Sequence, residues 1–177
     1  MKRFRLVSLA LGLLGGVWAL APQRQAVAAT ATSSFTVTAT VIASCTIATT
    51  GISFGNYDPV VANATTPVDA NGTVTVACTS GATTTVGMNQ GNNPTGTSTA
   101  GAPARQLASG AVNRMRYDLY LDAGRATVWG DVGTAAAEAY NATSKAATVL
   151  NIYGRIPAGQ DVSTGAYTDS VTATIQF

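Results

Sequence analysis

The chain has 177 residues, 46% of them hydrophobic and only 10% charged, with ten basic side chains, eight acidic ones and no histidine. That length and apolar fraction support one domain with its own core, and the 27 threonines and 18 glycines favour strands and turns over helices. With no histidine and a single glutamate, Glu138, most acid–base, nucleophile-activating and zinc chemistry is excluded, so an enzyme is not expected.

Lys2, Arg3 and Arg5 precede an apolar run over residues 6–20, and Ala26-Val27-Ala28-Ala29 offers small residues at a cleavage spacing. This layout predicts a secretory signal peptide over residues 1–29. The plain alternative, a membrane anchor, needs roughly 20 apolar residues, and this run supplies about 15. Cleavage would remove Lys2, Arg3, Arg5 and Arg24, leaving six basic against eight acidic residues. A mature chain of net charge −2 has no basic stripe for a phosphate backbone, so nucleic acid is not a partner. The two cysteines, Cys45 and Cys78, both lie beyond the leader. An even count in an exported chain reads as one disulfide rather than two free buried thiols.

Residues 35–41 alternate strictly: Phe35, Val37, Ala39 and Val41 on one side, three threonines on the other. Period two predicts a strand of roughly 20 Å. Thr46-Ile47 and Ile52-Ser53-Phe54-Gly55 follow, then a loop over 56–66 marked by Asp58-Pro59. Residues 72–78 alternate through Val74, Val76 and Cys78, and 83–89 form a weaker strand around Val86 and Met88. Residues 90–113, rich in Gly, Asn, Ser and Thr, read as a long surface loop. A strand is predicted over 115–121, a turn at 122–124, and a short strand at Thr127-Val128-Trp129. Residues 135–147 are alanine-rich and read as a possible short helix, which Gly133, Asn141 and Thr143 weaken. Residues 148–153 form a strand, 157–165 a connection, and 167–177 a last alternating strand through Val171, Ala173, Ile175 and Phe177. About seven short strands separated by polar turns predict an all-β sandwich in one domain.

Candidate chemistry is sparse. Asp118, Asp122 and Asp131 match no calcium-loop spacing, and Asp122 before Ala123-Gly124 is better read as a turn former. Neither a G-x-S-x-G elbow nor a phosphate-binding glycine loop is present. Tyr117, Tyr120, Trp129, Tyr140, Tyr153 and Tyr167 could form a sugar platform, but at strand spacing they read first as core and cross-strand packing. No cofactor, metal or catalytic residue is expected.

Three stretches go beyond composition: 117–122 running to Val128-Trp129-Gly130-Asp131; Ile152-Tyr153-Gly154-Arg155-Ile156-Pro157-Ala158-Gly159-Gln160 leading to Gly165-Ala166-Tyr167-Thr168-Asp169; and 35–41 before Cys45 with Phe54-Gly55 after it. Together they resemble the spore coat protein U domain family, which includes subunits of archaic (Csu-type) chaperone–usher pili. The resemblance covers residues 30–177, least strongly at 90–113 and 135–147. It implies an incomplete immunoglobulin-like sandwich that lacks its final strand and is completed by another chain. On that reading residues 30–42 are a donor-strand extension with Phe35, Val37, Ala39 and Val41 as its plugs. Residues 43–177 are then the pilin domain, with Val171, Ala173, Ile175 and Phe177 on the groove edge that a chaperone pairs with. The implied partners are identical or related pilus subunits, a periplasmic chaperone and an outer-membrane usher. The implied route runs through the periplasm to a surface fibre. A spore-coat or outer-surface matrix protein, and a secreted ligand-binding or adhesin module of the same fold, are the alternatives. A tip adhesin usually carries a second, binding domain and needs no donor strand, which makes it the weaker fit.

Overall fold

The computed structural model describes residues 24–177, so the expected leader over 1–29 lies mostly outside the described residues. The chain divides into two units, 1–39 and 40–177. In the first, described from residue 24 onward, no strand is formed and every side chain is exposed, Phe35 at 87% and Val37 at 80%. The strand expected over 35–41 is therefore absent. Alternation prepares a segment for a sheet, but the ladder hydrogen bonds that define a strand need a neighbour.

The second unit holds eight strands: β1 (Cys45–Thr50), β2 (Val68–Cys78), β3 (Thr83–Met88), β4 (Arg105–Ser109), β5 (Asn113–Tyr120), β6 (Glu138–Asn141), β7 (Thr148–Ile156) and β8 (Ala173–Gln176). They form a five-stranded sheet in the order β1-β2-β7-β5-β4 and a three-stranded sheet in the order β6-β3-β8, with antiparallel pairing throughout. β2 and β7 are the long central pair, matched from Val68↔Ile156 to Val76↔Thr148. Period two does the sorting: Val74, Val76 and Cys78 point inward at 0%, 0% and 3% exposure, while Thr73, Thr75 and Ala77 do not. Facing them are Val86 and Met88 of β3, with Met115, Tyr117 and Leu119 of β5 and Ile152 and Ile156 of β7 completing the core. Trp129 sits among them at 1% exposure and donates its indole N–H to the Val86 carbonyl at 2.9 Å. Tyr117, Trp129 and Tyr140 are thus core residues, as their strand spacing suggests.

Cys45 and Cys78 are directly opposite in the β1–β2 register and form a disulfide. At the β5 end, Asp122 is a turn former. Its carboxylate accepts N–H bonds from Thr127 and Ala126, which hold its pKa below the usual carboxylate value.

Three further sequence expectations need correction. Residues 135–147 contain no helix; 138–141 form β6, paired with β3 through Thr84↔Tyr140. Tyr140 is buried there and Thr84 donates to its carbonyl at 2.9 Å, so tertiary pairing overrides alanine's helix preference. The long loop expected over 90–113 contains β4, which begins at the fully buried Arg105. Arg105 escapes a pattern search because its charge suggests surface, yet its Nε donates to the Asn89 carbonyl and its Nη2 to those of Met88 and Trp129, each at 2.8 Å. Burial pushes the guanidinium pKa down, and Nη1 finds no partner among the described residues. The last strand is also shorter than expected. Only Ala173–Gln176 forms a ladder, and the β-pairing of 167–172 is reduced to an isolated bridge, Ala108↔Thr168.

Candidate functional site

β1 is one edge of the larger sheet and β8 one edge of the smaller, and each has a strand partner on one side only. Between the chain leaving β1 and the chain entering β8 lies a groove of about 940 Å³. Its floor is the domain core itself: Met88, Met115, Tyr117, Leu119, Ile152 and Ile156.

The two walls are built alike. Along 51–57, Ile52, Phe54 and Tyr57 turn inward and are half-buried, while Gly51, Ser53, Gly55 and Asn56 are exposed. Along 167–173, Tyr167, Asp169, Val171 and Ala173 turn inward, while Thr168, Ser170 and Thr172 are exposed. This is strand patterning without a strand. Residues 51–57 and 169–171 make no backbone–backbone hydrogen bond among the described residues. The first wall is nonetheless well placed. The Phe54 ring lies against Gly154 of β7 and meets the Tyr117 ring edge-on, with centroids 6.3 Å apart. A Cβ at Gly154 would come within 2.8 Å of that ring, so the glycine inside β7 is what admits Phe54. The Tyr57 hydroxyl donates to the Pro157 carbonyl at 3.0 Å and accepts the Gln160 N–H at 2.9 Å, fixing the lower end of the wall.

Of the residues expected on the groove edge, Val171 and Ala173 line the groove. Ile175 packs against the core alongside it, and Phe177 is 58% exposed. Phe35, Val37, Ala39 and Val41 are all exposed. Ile52 and Phe54, absent from the residues expected on the groove, also line it, and their spacing around Ser53 carries the inward–outward signal in the sequence.

Chemically the groove offers an apolar floor and two walls with free backbone donors and acceptors, which is the surface that takes an added β-strand. Among the described residues no three His, Cys, Asp or Glu side chains gather as a metal site, and Asp118 is taken up by Arg116 at 3.1 Å.

The family model for the Spore Coat Protein U domain matches residues 31–174. Protein U of Myxococcus xanthus is 35% identical over 157 residues, which cover 85% of this chain and 87% of that protein. Among solved structures, this chain is similar to a chain of the CsuC–CsuE chaperone–tip adhesion subunit pre-assembly complex from archaic chaperone–usher Csu pili of Acinetobacter baumannii. The match has a TM-score of 0.51 at 20% identity and covers 78% of this chain. It spans 40% of the length of that solved chain, and at that identity the likeness speaks for the fold. Family match, sequence relative and an open all-β sandwich agree: the chain belongs to the spore coat protein U domain family.

Proposed function

We propose that this protein is a structural subunit of a surface pilus, polymerised when residues 35–41 of one copy fill the groove of the next. The observation that carries the reading is the groove, a core left open between two strand-patterned walls whose backbone groups at 51–57 and 169–171 are unpaired. An exposed edge of this kind is an aggregation hazard and has to be covered. The exposed segment 35–41 has the complementary form. Added as a strand, it would bond to the walls through its backbone and turn Phe35, Val37, Ala39 and Val41 toward the floor. Each large apolar side chain buried in this way contributes about 1.5–3 kcal/mol.

On this reading the chain is exported and travels with a chaperone that covers the groove until an usher exchanges it for the next subunit. The likeness to a chain from a chaperone–tip adhesion subunit complex supports a chaperone as partner. The protein has no catalytic role. Val37→Asp is the test. A charge in the apolar groove costs several kcal/mol, so polymer should disappear while a soluble chaperone–subunit complex is recovered in normal amount. Fractionation followed by gel filtration measures both pools. Loss of the chaperone complex together with the polymer overturns the reading, because Val37 would then serve its own subunit's core.

A further inference from the structure

The run Gly165-Ala166-Tyr167-Thr168-Asp169 forms part of the second groove wall, and strand capture as described gives its aspartate no task. The Asp169 carboxylate accepts three hydrogen bonds. The Tyr117 hydroxyl donates at 2.7 Å, the Asn92 backbone N–H at 2.9 Å and the Asn93 side-chain amide at 3.1 Å. Burial and the adjacent Asp169 raise the Tyr117 pKa, so the phenol remains a donor. The same 89–93 loop grips the wall again three residues on. Asn89 donates its N–H to the Thr172 carbonyl at 3.0 Å, and its side-chain oxygen accepts the Thr172 N–H at 3.0 Å. The Asn89 carbonyl is held from behind by Arg105 at 2.8 Å. Thr168 exchanges both backbone bonds with Ala108 of β4, at 2.8 and 3.0 Å.

Gly91 gives an independent sign that this carboxylate has a built seat. Its φ is +74°, and a Cβ there would run into the Asp169 carboxylate. Asp169 takes part in no ion pair among the described residues. Its bonds come from neutral donors on two other elements, Tyr117 of β5 and the 89–93 loop.

We propose that Asp169 is a positioning residue for strand capture, latching 166–172 to Tyr117 and the 89–93 loop so that the wall stands extended before the incoming strand arrives. The inference rests on the strand-capture reading. An acceptor ordered in advance does not bear the ordering cost on binding, and association that must first rearrange the acceptor is slower.

The test uses the full chain carrying Val37→Asp, so that its own 35–41 segment does not compete, and a labelled peptide of residues 30–44 as probe. Adding Asp169→Ala should weaken peptide binding about tenfold or more, chiefly through a slower association rate. Amide hydrogen exchange should rise in 166–172 and stay unchanged in β2 and β7. Tyr117→Phe, which removes one of the three bonds, should cost a few-fold, and Asp169→Asn should restore part of the binding. If Asp169→Ala binds the peptide as the parent does, the latch is wrong and the fibre reading stands. If the parent chain itself binds no peptide, the fibre reading fails and the latch falls with it. Exchange that rises throughout β2 and β7 means an ordinary fold contact and overturns the proposal. Should Asp169→Ala fail to fold, Tyr117→Phe decides, and unchanged binding there overturns the latch.

Discussion

Residues 35–41 and 72–78 alternate apolar and polar side chains with the same period, yet they meet opposite surroundings. In 72–78, the end of β2, Val74 and Val76 are at 0% exposure, paired with β1 on one side and β7 on the other. In 35–41, Phe35 and Val37 are at 87% and 80%, with no ladder. The difference is not in propensity, since both are built of Val, Thr and their like. Alternation states which face of a segment wants burial; it does not state whose core provides it. A segment with a clean apolar face and no place in its own sandwich is a candidate for someone else's.

Matched substitutions break or sharpen this contrast. Val76→Asp puts a charge at a fully buried site between two strands and should cost more than about 4 kcal/mol, leaving no folded domain by circular dichroism. Next in size, replacing Cys45 and Cys78 together by alanine opens a link between residues 33 apart in sequence. It should lower stability by about 3–4 kcal/mol in denaturant titration. Asp69 is smaller again. It pairs with Arg155 at 2.7 Å and Arg125 at 3.2 Å on the outer face of β2, where solvent screens the pair. Asp69→Asn should cost under about 1 kcal/mol. The hydrogen bond from Arg155 depresses the Asp69 pKa below its ordinary 3.8. Its contribution is therefore whole above pH 3.8 and fades as pH falls through the lower folded value. The difference between Asp69→Asn and the parent should shrink below pH 4 in urea titrations. At the small end, Val37→Asp should shift the unfolding free energy of the monomer by less than about 0.5 kcal/mol while abolishing association. A large monomer effect there would erase the contrast with Val76.

The parts of this fold that show in the sequence are those where one residue pattern has one consequence. β2, β5 and β7 alternate and are strands, and the weaker pattern around Val86 and Met88 is β3; the cysteines are two, and they pair. The pattern fails where a distant element decides. Arg105 is buried because three carbonyls from β3, the residue after it and Trp129 surround its guanidinium, and nothing near it in sequence announces them. Residues 138–141 are a strand because the edge of β3 stands open to them. The groove was legible in part: Val171 and Ala173 show by spacing, as do Ile52 and Phe54 around Ser53, whereas Gly154, the glycine that admits the Phe54 ring, lies a hundred residues away. Asp169 stands in a recognisable run. Its partners Asn92 and Asn93 lie in what reads as featureless loop, so its bonding could not be read from either stretch alone.

The position of the disulfide has a mechanical side. Cys45 is the first residue of β1, and its bridge leads to the last residue of β2, a strand held by neighbours on both sides. A pull on the chain ahead of Cys45 would otherwise peel β1 from the sheet one rung at a time, the direction in which an edge strand is weakest. With the bridge closed, the load passes at the first rung into β2, the strand that joins β1 to the rest of the sheet, and the hydrogen bonds between β1 and β2 are spared. In a fibre linked through residues 35–41, every subunit would carry tension along that path. Pulling on single chains with and without reductant should show the bridged form yielding at the higher force.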